Sequence, residues 1–214
     1  MTTAAVVVAA GQGQRFGGQK QFERLGAQSV TRLSVAAARS VADTVVLVVP
    51  ADYQGDGEGA DLVVTGGATR SASVRAGLAK CVDADIVVVH DSARPMASAK
   101  LFHLVVNAVT SGADAAIPGL EVTDTVKRFV RDGLLMTAKE TVPRDDLVTV
   151  QTPQAFTREA LVRAHESGND ATDDAALVER NGGRVVVVPG EKTNIKITTP
   201  DDLAFLVQSI EEGQ

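Results

Sequence analysis

The chain has 214 residues, 44% of them hydrophobic but only 3% aromatic, and its formal net charge is −6. This length suits one α/β domain with a core of Val, Ala, Leu and Ile, and we expect a single domain over 1–214. An acidic chain lacks the basic surface of general nucleic-acid or membrane binders. Its cations should therefore be concentrated locally, in a site.

Cysteine usage and hydropathy indicate where the protein acts. The single cysteine, Cys81, cannot form an internal disulfide, and no Cys/His cluster has zinc spacing. The apolar run 4–10 is short and follows no positive charge, so we do not expect a signal peptide. No segment approaches the roughly 18 apolar residues of a membrane span. These features predict a cytoplasmic protein without a membrane partner.

The first predicted element is a short buried strand that runs into a glycine-rich, cationic loop, AAVVVAAGQGQRFGGQKQ at 4–21. Glycines let a backbone bend tightly or approach a ligand closely. Both charged residues of the loop, Arg15 and Lys20, are positive. Free N–H groups, an Arg fork and a Lys charge predict an anion site, with a polyphosphate as ligand. The alternative is a surface turn whose charges are solvated.

Two named nucleotide motifs do not fit this loop. The dinucleotide fingerprint G-x-G-x-x-G needs a glycine at the position of Phe16. The Walker pattern needs Ser or Thr after its lysine, whereas Gln21 follows Lys20. A nicotinamide-dependent oxidoreductase is therefore disfavoured, and a nucleotide loop of another kind is predicted.

Strands and helices alternate through 1–120, which predicts a doubly wound, mostly parallel sheet. The expected strands are 4–9, 44–49, 62–64, 86–89 and 115–117, the last stopped by Pro118, and the helices follow caps at Ser29, at Thr69 or Ser71, and at Ser98. Ligands of such sheets lie beyond the carboxyl ends of the strands. The glycine loop, Gly66-Gly67 and the turn 90–95 should therefore meet at that edge.

The pattern changes in an arm at about 121–146. Val122–Val130 and Leu134–Val142 flank Asp132-Gly133, a strong two-residue hairpin signal. A hairpin alone is marginally stable in water, and this one carries apolar residues, so it should pack on something. It packs either on the parent sheet or on a second copy of the chain. We favour the second copy, and hence a homodimer, because the chain has already used its sheet-forming segments.

The remaining elements return to the α/β pattern. The segment 148–152 leads into Pro153, and we expect a helix capped by Thr157 and closed by Gly168, followed by a second helix from about Thr172 to Asn181. Strands are predicted at 184–188 and 195–197. A last helix begins at Pro200 with Thr199 as its cap.

Asp91 follows the predicted strand 86–89 after one residue, at the edge where ligands are expected. Mg²⁺ is usually held by one or two carboxylates and by substrate phosphates, so Asp91 is predicted to bind Mg²⁺ or another hard divalent cation. The alternative is a turn or helix-capping aspartate. His90 is interpreted as structural, because neighbouring side chains of an extended segment point in opposite directions.

The other candidates are cations on loops, namely Arg15, Lys20, Arg94, Arg144 and Lys196. Lys196 lies between two isoleucines in NIKIT, and the alternative is that it marks the solvent side of an edge strand. No Ser/His/Asp or Cys/His set has credible spacing. Cations, one metal carboxylate and glycine loops predict a site that stabilises charge at phosphorus by position and electrostatics.

Eight segments, in order along nearly the whole chain, resemble the motifs of the 2-C-methyl-D-erythritol 4-phosphate cytidylyltransferase family: AAGQGQRFGGQKQF, GGATRSASVRAGL, VHDSARP, TDTVKR, ETVPR, QTPQAF, TDDAALVE and NIKIT. Each motif alone is weak, but eight in order are specific. The resemblance implies a Rossmann-like nucleotidyltransferase fold. It also implies transfer of CMP from CTP to methylerythritol phosphate, with release of pyrophosphate, in non-mevalonate isoprenoid biosynthesis.

The resemblance further implies roles for individual residues. The expected nucleotide contacts are Ala9, Ala10, Gly11, Gly13, Gly67, Ala68, Ser73, Asp91 and Ser92. The expected substrate contacts are Arg94, Thr125, Arg144, Thr152, Thr172 and Lys196, and the expected catalytic cations are Arg15, Lys20, Arg144 and Lys196. In that family the arm embraces a second subunit and delivers the residues matching Thr125 and Arg144 to its partner's site.

Two other functions stay open at this point. A relative with the same CTP site would use another polyol phosphate, such as ribitol 5-phosphate, since acceptor groups are spread over the arm and the late loops. A nucleotide-binding regulatory module would not require Lys20, Asp91 and Lys196 together. The chain also departs from the family pattern, with Gln19 where proline is frequent, a shorter loop before Lys20, and Ala68 where many members carry an acidic residue.

Overall fold

The fold is built on a sheet in which eight strands pair side by side within the part of the chain that the computed structural model describes, residues 1–166, 168 and 170–212. In chain order the elements are β1 (Thr3–Val8), a 3-10 turn (Lys20–Phe22), β2 (Arg24–Leu25), β3 (Gln28–Ser29), α1 (Val30–Ala38), β4 (Thr44–Val49), β5 (Leu62–Thr65), α2 (Arg70–Leu78), β6 (Ile86–Asp91), α3 (Ala99–Thr110), β7 (Ala115–Glu121), β8 (Val126–Asp132), β9 (Leu135–Val142), β10 (Val148–Val150), β11 (Gln154–Thr157), α4 (Arg158–His165), α5 (Ala175–Arg180), β12 (Val185–Pro189) and α6 (Pro200–Glu212).

The strand order is β10-β7-β11-β6-β1-β4-β5, and β12 also pairs with β7. The pairs of β1 with β4 and β6, of β4 with β5, and of β7 with β12 are parallel, whereas β10 and β11 run antiparallel to their neighbours. The predicted doubly wound, mostly parallel sheet is confirmed. Because parallel strands end at the same edge, the loops after β1, β4, β5 and β6 lie on one side of the molecule.

Helices cover both faces of the sheet, so its central strands β1, β4 and β6 are buried on both sides. Within β1, Val6 packs in the cluster that includes Val74 and Leu161, while its neighbour Val7 packs in the cluster that includes Phe102. Successive side chains of a strand point to opposite faces, so an uninterrupted apolar strand requires apolar helices on each face. Four of the predicted helix caps form, since the side chains of Ser29, Thr69 (rather than Ser71), Ser98 and Thr157 each accept a backbone N–H three residues on.

Pro118 does not end its strand, contrary to the prediction, because β7 continues to Glu121. Proline lacks the N–H of a ladder, but the carbonyl of Pro118 accepts the N–H of Gln151 at 2.9 Å. Three strands pair with β7 along its length. These partner strands keep the segment extended, although its own sequence predicts that the strand ends at Pro118.

One further strand was not predicted, and one predicted strand does not form. The segment Gln154–Thr157 forms β11, which inserts antiparallel between β6 and β7 and buries Phe156 completely. The segment 195–197 is a loop rather than a strand, and the N–H of Ile197 donates to the carbonyl of Ala93 at 2.8 Å. Ile197 is buried with Leu206 of α6, so the alternation in NIKIT reflects packing beneath a loop and not pairing in a sheet.

The helix expected from about Thr172 begins only at Ala175. Residues 170–174 form a bend that carries the wholly buried Asp174. Asp174 accepts hydrogen bonds from Arg70 and His165, and these contacts keep the segment out of the helix. One position of the predicted helix before it, 167, lies outside the described residues.

The predicted hairpin forms, with its first strand beginning at Val126 instead of Val122. Strands β8 and β9 pair with each other in a separate two-stranded sheet. Gly133 adopts a φ of +57° in the turn, a left-handed conformation that glycine accepts without strain. Leu134, Leu135 and Met136 at the tip are exposed. Packing of the arm on a second copy stays a prediction.

None of the helices in the described part of the chain combines the length and apolar character that a bilayer-crossing segment requires. The cytoplasmic location expected from the sequence stays a prediction.

Candidate active site

A cavity of about 520 Å³ lies at the carboxyl edge of the sheet, between the glycine loop, the start of α2 and the end of β6. Strands β1 and β6 are adjacent and parallel, with Val8 opposite Asp91. The loop after one strand and the carboxylate at the end of the other are therefore delivered to the same place. The predicted residues that line this cavity are Ala9, Ala10, Gly11, Gly13, Arg15, Lys20, Gly67, Ala68, Ser73, Asp91, Ser92 and Lys196.

The glycine loop is folded tightly on itself. Gly13 has a φ of +63°, and a Cβ added there would lie 1.8 Å from the carbonyl oxygen of Gly18. The carbonyl of Gly13 accepts the N–H groups of Phe16 and Gly17, each at 2.9 Å. Only glycine permits both this backbone conformation and this close approach, so position 13 determines how Arg15 and Lys20 are presented.

Gln21, which sequence reasoning did not select, fastens the loop to the sheet and to α1. Its buried carboxamide donates to the carbonyls of Ala9 at 2.9 Å and Gly11 at 3.0 Å. The hydroxyl of Thr31 donates to the Gln21 carbonyl at 2.6 Å. These bonds hold Lys20, the preceding residue, beside the end of β1. The signal available in the sequence was a polar residue, Gln21, directly after the candidate lysine.

The opposite wall is formed by the start of α2. The hydroxyl of Ser73 accepts the N–H of Gly67 at 3.1 Å and donates to the carbonyl of Thr69 at 3.0 Å. A Cβ on Gly66 would lie 2.4 Å from the Cβ of Ala10. The paired glycines therefore let this wall approach the glycine loop closely.

Asp91 lies between two cations. Its Oδ1 accepts Arg70 Nε at 3.2 Å, and its Oδ2 accepts Lys196 Nζ at 2.6 Å. Burial alone raises the pKa of Asp91, but the charges of Arg70 and Lys196 outweigh it and hold that pKa well below the ordinary value. The carboxylate is thus ionised across the neutral and mildly acidic range.

Lys20 is half-buried in the same cavity. Burial, and then the charges of Lys196 and Arg15, lower the pKa of Lys20 from its ordinary value, while Asp91 acts in the opposite direction. The lowering of the Lys20 pKa by neighbouring cations indicates a region of positive potential. Such a region favours a polyanionic ligand.

Arg70 was also not selected from the sequence. It is the first residue of α2, where a cation is opposed by the positive end of the helix dipole. A cation at that unfavourable position is a signal that something else stabilises it. Here the compensation comes from Asp91 and from Asp174, whose Oδ2 lies 2.7 Å from Arg70 Nη1.

The predicted magnesium ligand fits a cation that is held mostly by its nucleotide. The described residues contain no group of three or more His, Cys, Asp or Glu side chains placed to hold a metal. Mg²⁺ commonly takes one or two carboxylates plus substrate phosphates and water. Each oxygen of Asp91 has a second lone pair beyond the one used by its cation, so the donor set is compatible with Mg²⁺.

A second cavity of about 210 Å³ adjoins the first and is lined by the predicted residues Arg94, Thr152 and Thr172. Burial lowers the pKa of Arg94, and its Nη1 donates to the carbonyl of Asn194 at 2.7 Å. Its buried Nε has no partner within the described structure. The guanidinium of Arg94 is therefore held in place in this cavity and has a hydrogen-bond donor without a partner in the described structure.

His90 has a structural role, as predicted, because it holds residues that line the cavities. It is fully buried, its Nε2 donates to the carbonyl of Arg94 at 3.2 Å, and its Nδ1 accepts from the hydroxyl of Thr152 at 3.2 Å. That hydroxyl in turn accepts the N–H of Asp91 at 3.0 Å. Burial lowers the pKa of His90 to about 4.

The stability of the fold is therefore expected to fall as the pH is lowered from 7 to 5. The folded protein holds His90 neutral, whereas its ordinary pKa of 6.5 applies in the unfolded chain. The unfolded state takes up a proton first, so the free energy of unfolding decreases by about 2 kcal/mol over this interval. Above the unfolded pKa the contribution of His90 is fully present.

Urea unfolding at the two pH values measures this decrease. In His90→Gln the decrease should shrink by about 2 kcal/mol. The same substitution of the exposed His103 serves as the matched control. An unchanged pH dependence in His90→Gln would contradict the role given to His90.

The arm residues stand apart from this arrangement. Within the described part of the chain, Thr125 and Arg144 line neither cavity. Both are exposed, and Arg144 donates to the carbonyl of Thr123 within the arm. The structure of one chain thus brings together every predicted site residue except these two.

Comparison with known proteins gives a consistent result. The family model of 2-C-methyl-D-erythritol 4-phosphate cytidylyltransferase matches residues 3–210. The enzyme of that name from Rhodococcus jostii is 44% identical over 98% of this chain and 95% of its own length. A bifunctional enzyme IspD/IspF from Clavibacter michiganensis is 42% identical over 92% of this chain, which spans 52% of that longer relative.

Solved structures agree. The crystal structure of 2-C-methyl-D-erythritol 4-phosphate cytidylyltransferase from Thermus thermophilus superposes with a TM-score of 0.82 and 35% identity, covering 96% of this chain and 98% of the solved chain. The fold is the Rossmann-like α/β fold of nucleotidyltransferases. The chain belongs to the 2-C-methyl-D-erythritol 4-phosphate cytidylyltransferase family.

Proposed function

We propose that the chain transfers CMP from CTP to 2-C-methyl-D-erythritol 4-phosphate at the two adjoining cavities, giving 4-diphosphocytidyl-2-C-methyl-D-erythritol and pyrophosphate. The observation that carries this proposal is that Arg15, Lys20 and Lys196 line one cavity together with Asp91. Such a set of charges suits a triphosphate and its metal.

The larger cavity holds CTP. The cytosine lies against Gly67, Ala68 and Ser73, whose backbone groups and hydroxyl supply the hydrogen bonds that distinguish a base. Ala9, Ala10, Gly11 and Gly13 contact the nucleotide through their backbone, with Ser92 beside them. This division is supported by the lining of the cavity, in which Gly67, Ala68 and Ser73 offer backbone groups and a hydroxyl while the glycine loop carries Arg15 and Lys20.

The smaller cavity holds the acceptor. Arg94, Thr152 and Thr172 offer a guanidinium and two hydroxyl groups, which suit a polyol phosphate. Arg70, Asp91 and Lys196 line both cavities. The reacting atoms of the two substrates meet at this junction.

The chemical step is a displacement at phosphorus. An oxygen of the 4-phosphate attacks the α-phosphorus of CTP in line, the new P–O bond forms, and the bond to the leaving pyrophosphate breaks. A phosphate oxygen is already a nucleophile and needs no general base, in keeping with the lack of a Ser/His/Asp set in the sequence. Lys20, Arg15 and Lys196 stabilise the charge that develops on the phosphates.

Asp91 is the residue that would hold Mg²⁺ or another hard divalent cation. When bound, the cation neutralises phosphate charge at the reacting centre. The chain's own contribution is to keep this carboxylate ionised and fixed in position, through the two cations that flank it.

The direct test is pyrophosphate release from four nucleoside triphosphates, each combined with several sugar and polyol phosphates. Release is expected only with CTP and methylerythritol phosphate. Equal or faster release with ribitol 5-phosphate would transfer the assignment to that acceptor, and release without dependence on the base would overturn the cytosine assignment.

The proposal includes a homodimer in which the arm of one subunit completes the site of the other. It is supported by Thr125 and Arg144 lying outside both cavities of their own chain. Exposed Leu134, Leu135 and Met136 at the tip of the arm give it an apolar surface to bury.

Mixing two inactive variants, Lys20→Met and Arg144→Met, should therefore restore activity. A mixed dimer contains one native site, which combines an intact Lys20 with the intact arm of the other subunit. Random re-association makes half of the dimers mixed, so about one quarter of the wild-type rate is expected.

The control is a mixture of Lys20→Met with Asp91→Asn, whose changes both lie in the body of the subunit. No mixed dimer then contains a native site, and the rate should stay low. Failure of the first mixture to exceed this control, after re-association is verified, would place Arg144 outside the partner's site.

A further inference from the structure

Arg70, Asp91 and Lys196 line both cavities in the described structure and so surround the junction where the substrates meet. The two cations hold different oxygens of the same carboxylate. Arg70 Nε contacts Oδ1 of Asp91, and Lys196 Nζ contacts Oδ2. Their tasks differ because they are restrained to different degrees.

Arg70 is held at both ends. Its Nη1 pairs with Oδ2 of Asp174 at 2.7 Å, and the Asp174 side chain is 0% exposed while that of Arg70 is 23% exposed. Asp174 is fixed in turn by His165, whose Nε2 donates to its Oδ1 at 3.0 Å. The residues His165, Asp174, Arg70 and Asp91 therefore form a continuous line of contacts that runs from the buried His165–Asp174 pair to the junction.

Lys196 is freer. Its side chain is 40% exposed and lies on a loop, with Asp91 as its ion-pair partner. A lysine ammonium is a point charge on a flexible stem, whereas an arginine guanidinium is a planar fork that can bind two carboxylates at once. Lys196 can leave Asp91 for a phosphate, but Arg70 cannot leave without exposing two carboxylates.

The charges of the group support this division. Asp91 and Asp174 are balanced by Arg70 and Lys196 in the absence of ligand. When Lys196 transfers to a phosphate, the remaining three residues carry one net negative charge at the junction. A divalent cation is attracted to that charge, and the freed Oδ2 is directed by the contact that Arg70 retains on Oδ1.

We propose that Arg70, anchored by buried Asp174, is a positioning residue that holds the Asp91 carboxylate at the junction of the two cavities, so that Lys196 is exchanged for the metal when substrate binds. This inference rests on the proposed function of the site and assigns to it two residues that the sequence motifs leave without a role. Residues that orient a metal ligand typically change metal affinity or activity about 10- to 100-fold when replaced.

The test measures Mn²⁺ affinity by electron paramagnetic resonance, in protein saturated with a CTP analogue whose α,β-bridging oxygen is a methylene group. Arg70→Lys keeps the charge but loses the fork, and Asp174→Asn removes the anchor at a residue that lines neither cavity. Each variant should bind Mn²⁺ about 10- to 100-fold more weakly and lose kcat more than it raises the KM for CTP.

Arg75→Lys provides the matched control, since Arg75 lies on the same helix and lines neither cavity. It should leave Mn²⁺ affinity unchanged. Lys196→Met should lose turnover without weakening Mn²⁺ binding to the nucleotide-free protein, because it removes a competitor for Asp91. Thermal denaturation checks the fold of each variant. If a single variant does not fold, the double variant Arg70→Gln/Asp174→Asn replaces it, because it removes one positive and one negative charge and so keeps the net charge.

The outcomes separate the alternatives. Normal Mn²⁺ affinity in both Arg70→Lys and Asp174→Asn overturns the inference. A defect in Arg70→Lys that Asp174→Asn does not share also overturns it, because Arg70 then contacts a phosphate directly. If the wild-type protein releases no pyrophosphate from CTP and methylerythritol phosphate, the proposed function fails, while the Mn²⁺ comparison still decides the role of Arg70.

Discussion

Replacing Lys20 with methionine is expected to lower kcat for CMP transfer by about 100-fold or more, with little change in the fold. Methionine keeps the length and the apolar stem but removes a charge aimed at the cavity. The lowered pKa of Lys20 reflects burial first and then repulsion by Lys196 and Arg15. This charge therefore adds little to the stability of the unliganded fold. It acts instead by stabilising the bound polyphosphate and the transition state.

Steady-state pyrophosphate release at saturating CTP measures the effect, and circular dichroism and thermal unfolding confirm the fold. Lys80→Met is the matched control, since Lys80 is exposed beyond the end of α2 and lines neither cavity. A correctly folded Lys20→Met with near wild-type turnover would refute the role assigned to Lys20.

Replacing Asp91 with asparagine is expected to lower kcat by at least about 100-fold and to raise the Mg²⁺ concentration needed for half-maximal rate. Asparagine keeps the shape of the side chain but loses the negative charge that a divalent cation requires. Arg70 keeps its pair with Asp174, and Lys196 is exposed enough to be hydrated. The fold should therefore survive the change.

A titration of rate against Mg²⁺ measures both effects. Asp83→Asn, at an exposed position that lines neither cavity, is the control. The pKa of Asp91 lies below its ordinary range, so the wild-type rate should not fall through this group when the pH is lowered from 7 to 5. An Asp91→Asn variant with wild-type Mg²⁺ dependence would remove Asp91 from the metal site.

Helix caps and strands were predicted correctly from the sequence where their physical cause is local. The caps at Ser29, Thr69 and Ser98 are correct, because a capping side chain bonds to a backbone N–H only three residues away. The strand 44–49 is correct to the residue. Its run of apolar, mostly β-branched residues is typical of a buried strand in a parallel sheet.

Predictions failed where the cause is a distant partner. β11 is short, and only its position between β6 and β7 makes it a strand. Pro118 breaks the local pattern but is held extended by neighbouring strands. Arg70 was overlooked because its partner Asp174 lies 104 residues further along the chain.

The sequence by itself determined the class of fold, the order of the motifs and the inventory of cations, because apolar periodicity, capping and glycine-rich loops are written in neighbouring residues. Only the tertiary structure decided which cations meet. It brings Lys196 to Asp91 across 105 positions and leaves Arg144 outside both cavities. The reason is that a loop residue's place depends on how remote strands pair and how the loop closes, and neither is encoded in its immediate neighbours.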